Sequence, residues 1–378
     1  MRGIPFPKTR EDAGMICKKA SYYRFRNIES SVIEFSDGIN VIYGNNAVGK
    51  TSAIEGIYLC AQGRSHRTSH EKDYIKFGED YGAVSVLYED SDRKRELSML
   101  WSQKGKRQCR MNDVAIKKMS EFIGNFRAVL FTPEHLSIVK EGPAMRRSFL
   151  DNAISQLDKL YVTSLQRYAA ILAQRNKIIS ESFRDPSLLD TLDVWSEQLA
   201  EEAAVISQKR RIYIDRLSTY VADIFRDMTE GREVPKLVYT GEKTKEEYLA
   251  LLKDNLQREI RYGATLFGTH KDDVTIFLND KEARSYASQG QQRSFSLALK
   301  LAEGEISKDE SGEYPVFLFD DVLSELDKTR REYIMAGLDK RQVIMTTCER
   351  EDGIKNSNLI YASGGKFYQN PTQSEKEW

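Results

Sequence analysis

The sequence predicts an α/β fold whose two halves are separated by a helical arm, an antiparallel helix pair, and three stretches carry that prediction. Residues 40–61, NVIYGNNAVGKTSAIEGIYLCA, read as a short apolar strand, a glycine-bounded loop and a helix. Between Met145 and Ile224 the apolar side chains recur every three or four residues, the spacing of packed helices. Residues 316–321, VFLFDD, set four apolar side chains before two carboxylates, as in a buried parallel strand that presents chemistry at its carboxyl end. The expected division is an extension over 1–14, taken as disordered, a first half over 15–142, the arm over 143–230 and a second half over 231–378.

Composition bounds the function before any motif does. With 378 residues the chain holds one large domain or two ordinary ones. Forty per cent apolar and 30% charged residues suit a soluble globular protein. Lys plus Arg and Asp plus Glu both number 57, so bulk charge does not bind nucleic acid, although a local basic patch still can. No apolar run is long enough to cross a bilayer and the N-terminus is not a signal peptide, so a cytoplasmic protein is expected. The cysteines Cys17, Cys60, Cys109 and Cys348 include no C-x-x-C pair and read as free thiols. His66 and His70 are the only close histidines, and without a third ligand nearby they predict no metal site.

Taken in order, structure is expected to begin near Met15. Residues 15–23 alternate weakly, and residues 31–44 supply two strands broken at Asp37-Gly38. After the helix that follows the loop come short strands at 82–88, 95–101 and 107–111, then a hairpin turn at Asn112-Asp113. Residues 128–131 form another strand, stopped by Thr132-Pro133. The stripe from Leu150 to Leu172, and the one from Leu192 to Ile224 after Asp185-Pro186-Ser187, predict two antiparallel helices of about 40 residues, roughly 60 Å if straight. They project as an arm, or else pack on the domain as core helices. Beyond Gly231 the sequence predicts a helix over 244–261, a strand over 274–278, a helix over 291–305, strands at 316–319 and 343–347, and a helix over 328–338.

The first functional motif is the loop Gly44, Asn45, Asn46, Ala47, Val48, Gly49, Lys50 and Thr51, which fits G-x-x-x-x-G-K-[ST]. Its glycines let backbone N–H groups converge on phosphate oxygens. Lys50 brings positive charge to the β- and γ-phosphates, the Thr51 hydroxyl suits Mg²⁺, and the following helix aims its positive end at the anion. The second motif is Asp320-Asp321. Asp320 at a strand end suits Mg²⁺, and Asp321 is the candidate general base toward an attacking water. The third is Ser288, Gln289 and Gly290 at the start of an apolar helix, again an anion site.

The order P-loop, Ser288–Arg293 segment, carboxylate strand resembles the ABC/SMC ATPases, whose signature motif from one subunit completes the ATP site of another. Residues 324–327 resemble their D-loop. The resemblance narrows further, to the bacterial RecF family: Phe25-Arg26-Asn27, IEGIYLCAQGRSHRT after the P-loop, FTPEHLSIVKEGPAMRRSFLD, GTHKDD, SQGQQR and FLFDDVLSELD. It covers residues 15 to about 369. The resemblance implies an ABC/SMC-like ATPase head with a short arm, ATP and Mg²⁺ as cofactors, and an ATP-dependent homodimer on duplex DNA or at a single-strand gap junction. It also implies work with RecO- and RecR-type mediators that place RecA on gaps, in DNA repair, replication and the SOS response. The P-loop interior, Asn46-Ala47-Val48, and Ser52 depart from the usual family residues without removing a phosphate ligand. Thr346-Thr347-Cys348 stands where ABC transporters carry a catalytic histidine, and with an aspartate at 321 in place of glutamate this predicts slow, DNA-stimulated hydrolysis.

Other residues carry two readings each. Arg26 matches a position where related heads touch phosphate, or is a surface arginine. Arg64, His66 and Arg67 reach nucleotide or DNA, or form a solvated loop. Glu134 occupies the Q-loop position. Arg146 and Arg147 meet phosphate, or form salt bridges at a helix start. Lys104, Lys106, Arg107 and Arg110, with Lys117 and Lys118, make the leading DNA patch, with a solvated hairpin as its alternative. The competing functions are an SMC-like ATPase partnering an effector nuclease and one structuring DNA. The short arm argues against the latter, and a GTPase is disfavoured because no N-K-x-D motif occurs.

Overall fold

A computed structural model describes residues 14–338, 341–350, 354 and 356–369. Apart from Gly14, the expected extension lies outside the described residues. Contacts divide the chain into two compact units, one built from residues up to Ser137 and from Ser296 onward, the other from Ile138–Phe295.

In chain order the elements are β1 (Ile16–Phe25), β2 (Ile28–Glu34), β3 (Ile39–Tyr43), α1 (Lys50–Gln62), β4 (Tyr81–Glu89), β5 (Lys94–Ser102), β6 (Gln108–Met111), β7 (Val114–Ile116), α2 (Met119–Phe122) and β8 (Ala128–Phe131). There follow α3 (Pro143–Ser155), α4 (Lys159–Glu181), α5 (Leu192–Thr229), β9 (Pro235–Tyr239), α6 (Lys245–Asp254), α7 (Leu256–Tyr262), β10 (Val274–Leu278), β11 (Lys281–Glu282), α8 (Ala283–Tyr286) and α9 (Gln289–Ser311). The last are β12 (Val316–Asp320), α10 (Lys328–Gly337), β13 (Val343–Thr347), β14 (Asn358–Ser363) and β15 (Lys366–Gln369).

Two sheets organise the first unit. One is antiparallel, in the order β2-β1-β4-β5-β6-β7; the other runs β15-β14-β3-β13-β12-β8, parallel from β14 to β8. Helix α1 is the element both sheets need. Apart from Thr51, every one of its residues is buried, as expected of a helix enclosed on all sides. Its side chains Ile54, Ile57 and Leu59 share one core with Tyr22, Val84 and Met99 of the antiparallel sheet and Ile42, Leu318 and Ile344 of the parallel one. Full burial of such aliphatic side chains is worth about 1.5–3 kcal/mol each. Gly56 is required by close approach: a Cβ there would lie 2.5 Å from the Tyr22 ring.

In the second unit the first long helix departs from expectation. The stripe from Leu150 to Leu172 is not one helix, because the chain breaks between α3 and α4, where the Asp158 carboxylate accepts from the Leu160 and Tyr161 N–H groups at 2.8 and 3.1 Å. An N-cap starts a new helix there. Helix α5 does reach 38 residues, about 57 Å. It runs antiparallel to α4, for Arg175 donates to Ser196 and Arg210 to Tyr161, each at 3.0 Å. The helix expected over 244–261 is likewise two, α6 and α7, meeting at Asn255.

Residues 231–295 belong to this helical unit, which differs from an expected second half running from 231 to the end. The reason is a buried polar hub built on the GTHKDD segment. Arg210 donates to Asp151 (2.8 Å), Asp272 (3.2 Å) and the Thr269 carbonyl (2.8 Å), while Tyr239 donates to Asp272 at 2.6 Å. Thus α3, α5, β9 and the turn before β10 converge on one guanidinium. Nearby, Arg146 forks onto Asp273 at 2.7 and 2.9 Å, and Arg147 donates to the Asp272 carbonyl at 2.7 Å, so both arginines serve the hub. Among the described residues no helix is long and apolar enough to cross a membrane.

Candidate nucleotide-binding site

The P-loop begins where β3 ends. Gly44, at φ +151, packs so tightly that a Cβ would stand 2.3 Å from the Ala362 carbonyl oxygen of β14. Gly49, at φ +109, is the N-cap of α1, and Ala47 also takes positive φ, +65. Such backbone turns the loop's N–H groups inward. No acidic residue lies in the first turn of α1, which leaves its positive end uncompensated. Lys50 is buried and donates to the Gly44 and Asn45 carbonyls at 2.7 and 2.8 Å. Asn45 and Asn46 are exposed and Val48 half-buried.

Strand β13 lies between the P-loop strand and the carboxylate strand, and register aligns Asp320 with Thr346 and Thr346 with Ile42. The two motifs, about 270 residues apart in sequence, therefore meet at the carboxyl edge of one parallel sheet. Asp320 accepts from Thr51 at 3.0 Å and from Thr346 at 2.7 Å. Burial pushes its carboxyl above the ordinary range, against the pull of the two hydroxyls. A hydroxyl and a carboxylate this close form an oxygen donor pair that fits Mg²⁺, an ion that also keeps waters and substrate oxygens. Asp321 sits in the left-handed region at φ +51, its N–H bonded to Thr346 Oγ1 at 3.0 Å. Glu134 follows β8, the strand beside β12, in the turn Pro133–Ser137.

A cavity of about 1040 Å³ opens here, lined among others by Asn46, Gly49, Lys50, Thr51, Asp321 and Thr346. Arg26 also lines it, yet its guanidinium is committed: it donates to Glu55 at 3.0 and 2.5 Å and to the Asp73 carbonyl at 2.7 Å. Arg67 reaches the same carboxylate at 3.2 Å, and Ser65 donates to it as well. Burial raises Glu55, but the Arg26 and Ser65 hydrogen bonds and the two positive charges win and hold it below the ordinary carboxylate range. Glu55 is fully buried while Arg26 and Arg67 keep exposed surface and line the cavity, so the positive side of the cluster faces it.

Three supporting residues went unassigned in the sequence. Asn27 donates to the Ala47 carbonyl at 3.0 Å and accepts from Ser52 at 2.9 Å, pinning loop to helix. In the sequence Glu55 reads as one more helix residue, and Thr346 stands out only by not being histidine. The two sequence departures also meet: the Cys348 thiol donates to Asn46 Oδ1 at 3.1 Å.

The signature segment lies in the other unit. Ser288 accepts from the Gln291 N–H at 3.2 Å, and the Gln291 side chain accepts from the Ser288 N–H at 2.8 Å. This reciprocal capping box starts α9, with Ser288 and Gln289 exposed and Gly290 half-buried. Of the basic patch, Lys104, Lys106 and Arg110 are exposed on the β5–β6 hairpin. Arg107 is not part of that exposed set, since it donates to Glu71 and to the Gly63 carbonyl.

Comparison with known proteins identifies the architecture. The family described as the RecF/RecN/SMC N terminal domain matches residues 17–363. The DNA replication and repair protein RecF of Ruminiclostridium cellulolyticum is 39% identical, covering 94% of this chain and 99% of its own. That of Clostridium novyi is 38% identical, covering 88% of this chain and 92% of its own. A solved structure of the recombination mediator protein RecF with ATP, from the RecFOR pathway, superposes with a TM-score of 0.89 at 32% identity, over 95% of this chain and 99% of that one. A Pyrococcus furiosus Smc head domain bound to the C-terminal domain of ScpA shares the fold at a TM-score of 0.55 and 17% identity, over 96% of this chain and 97% of that one. The fold is an ABC/SMC-like ATPase head with helices inserted between its two sequence halves, and the chain belongs to the RecF family of DNA replication and repair proteins.

Proposed function

We propose that this chain is an ATP-gated DNA-binding switch: ATP closes two copies on DNA, and slow hydrolysis reopens them. The observation that carries this reading is the Thr51–Asp320 contact at 3.0 Å beside the P-loop. Backbone N–H groups of residues 44–51 cradle the phosphates, and Lys50 exchanges its carbonyl acceptors for phosphate oxygens. Thr51 and Asp320 would hold Mg²⁺, which would offset negative charge on the phosphates. Asp321 accepts the proton of the attacking water, with Thr346 fixing its backbone. The exposed, capped start of α9 at Ser288, Gln289 and Gly290 supplies the anion site that a second copy offers to the γ-phosphate. The interface is then isologous. A ligand bound better by the closed pair than by the single chain shifts the population toward closure.

DNA enters this reading through the family and through Lys104, Lys106 and Arg110. By the same resemblance the closed form works with RecO- and RecR-type mediators to place RecA at single-stranded gaps in the cytoplasm. The deciding experiment is light scattering with and without ATP and gapped DNA, on wild type and Lys50→Met. Wild type doubles in mass only with ATP, and the variant stays monomeric. A wild type that remains monomeric with ATP and DNA together overturns the switch, and turnover of many ATP per second overturns slow hydrolysis.

A further inference from the structure

A second pocket, of about 390 Å³, is walled by the 3₁₀ turn Glu71–Tyr74 and the tip of the β5–β6 hairpin. That volume falls within the roughly 300–1,000 Å³ of small-molecule sites. None of its wall comes from the P-loop, and only Lys72 and Asp73 also line the nucleotide cavity.

Two features of the wall point to a ligand. The first is Trp101. Its side chain is 2% exposed and stands edge-on to the Tyr74 ring at 5.1 Å, yet among the described residues its indole N–H has no hydrogen-bond partner. A buried donor left without an acceptor costs stability, which an occupant's acceptor restores. The second feature is charge. Arg107 stands in the wall, its guanidinium held by Glu71 and by the Gly63 carbonyl at 3.1 Å. Lys72 in the wall is exposed, as are Lys104 and Lys106 on either side of the wall residue Gly105. The hairpin tip that carries them is pre-formed, because the Ser102 hydroxyl accepts from the Gly105 N–H at 3.0 Å and the Lys104 N–H at 3.3 Å. An aromatic wall with cations around it is the combination that holds single-stranded nucleic acid, phosphates on the charges and bases on the ring.

We propose that this pocket receives one unstacked base of single-stranded DNA, with Trp101 donating to an acceptor on the base edge and Lys72, Lys104 and Lys106 meeting the flanking phosphates. The inference rests on the reading that the chain binds DNA, and it deepens that reading by naming what tells a gap from a duplex. In a duplex every base is paired and stacked, and none enters without an unpairing cost. In a gap one base enters free of that cost. Pyrimidine O2 and purine N3 give every base an acceptor, so the pocket selects single strands without selecting sequence.

The test pairs a change in the DNA with a change in the protein. Affinity is measured at fixed salt, with Mg²⁺ and ATP, for a gapped duplex, the same gap built of abasic residues, and continuous duplex. The abasic gap keeps the phosphates and removes the bases. Wild type binds it about tenfold more weakly than the natural gap, within the usual range for losing one base–aromatic contact. Trp101→Phe keeps a ring and removes the N–H. It weakens the natural gap about threefold and leaves the abasic gap and the duplex unchanged, so the two losses do not add. Lys104→Glu with Lys106→Glu weakens both gaps alike. A second measurement needs wild type alone and decides even where Trp101→Phe loses the fold: 5-iodouracil placed in the gap crosslinks, on irradiation, to peptides spanning residues 70–73 or 101–107. Equal affinity for natural and abasic gaps, fully additive losses, or crosslinks confined to other peptides each overturn the pocket and leave the DNA reading standing. A wild type that binds none of the three DNAs sinks the DNA reading and the pocket with it.

Discussion

Two buried ion clusters of this molecule, one in each unit, are built with opposite polarity. In the first unit a fully buried carboxylate, Glu55, is ringed by Arg26 and Arg67, whose guanidinium groups keep 18% and 46% of their side-chain surface exposed. In the second a buried guanidinium, Arg210, is ringed by Asp151 and Asp272 and by tyrosine hydroxyls. The first arrangement leaves positive charge at a cavity wall, where an anion can use it. The second spends its charges inward, joining three helices, a strand and a turn. The same ionic chemistry thus serves a ligand in one place and the fold in the other, and which group is buried decides between them.

That contrast breaks most readily at Arg210. Arg210→Met leaves Asp151 and Asp272 without their cation inside the helical unit, and we expect a loss of about 3–5 kcal/mol in urea unfolding. A loss below about 1 kcal/mol would make the hub no more than a surface ion pair. Glu55→Gln is the matching change in the other cluster, with an expected cost of about 1–3 kcal/mol. Its signature is pH. Because the folded pKa of Glu55 is depressed, its contribution is present above the ordinary carboxylate range and disappears as pH falls through the lowered value. Wild type should therefore lose stability on acidification more steeply than the variant, and parallel acid curves would contradict the ion cluster. The smallest effect on the fold is expected at the exposed hairpin. Lys104→Glu with Lys106→Glu should leave stability within about 0.5 kcal/mol while reducing the slope of log affinity for DNA against log salt by up to about 2. An unchanged slope removes the hairpin from the DNA surface.

What the sequence could reveal followed from how local its causes are. The strand, loop and helix around Lys50 are set by neighbouring residues, as are the alternating strands β4 and β5 and the hairpin at Asn112 and Asp113, both at positive φ. The strand ending at Asp320 was equally legible, since a fully buried parallel strand must be apolar throughout. The break at Asp158 was not, because the apolar stripe keeps its phase across it. The hairpin β14–β15 was missed although Gly364-Gly365, both at positive φ, form a two-residue turn that the sequence does signal. Thr346 and Arg210 acquire their roles from partners brought by distant segments, and Glu55 from Arg26 just after β1 as well as from Ser65 and Arg67 just beyond its own helix. Arg26 is the instructive case: its position beside the cavity was legible, but its bonds to Glu55 and Asp73 depend on two further elements.

The strand order of the parallel sheet has a consequence for how the protein is made. The neighbours of β3 in that sheet are β13 and β14, some 300 residues later in the chain, while the neighbours of β12 are β8 and β13. On the ribosome the P-loop strand therefore emerges long before either lateral partner, and residues 138–295 are synthesised in the interval as a unit with contacts of its own. Such non-local pairing is slow to form and exposes unpaired strand edges while it waits. The helical unit is free to fold first, and only when residues 343–347 arrive can Thr51 and Asp320 be brought onto one edge.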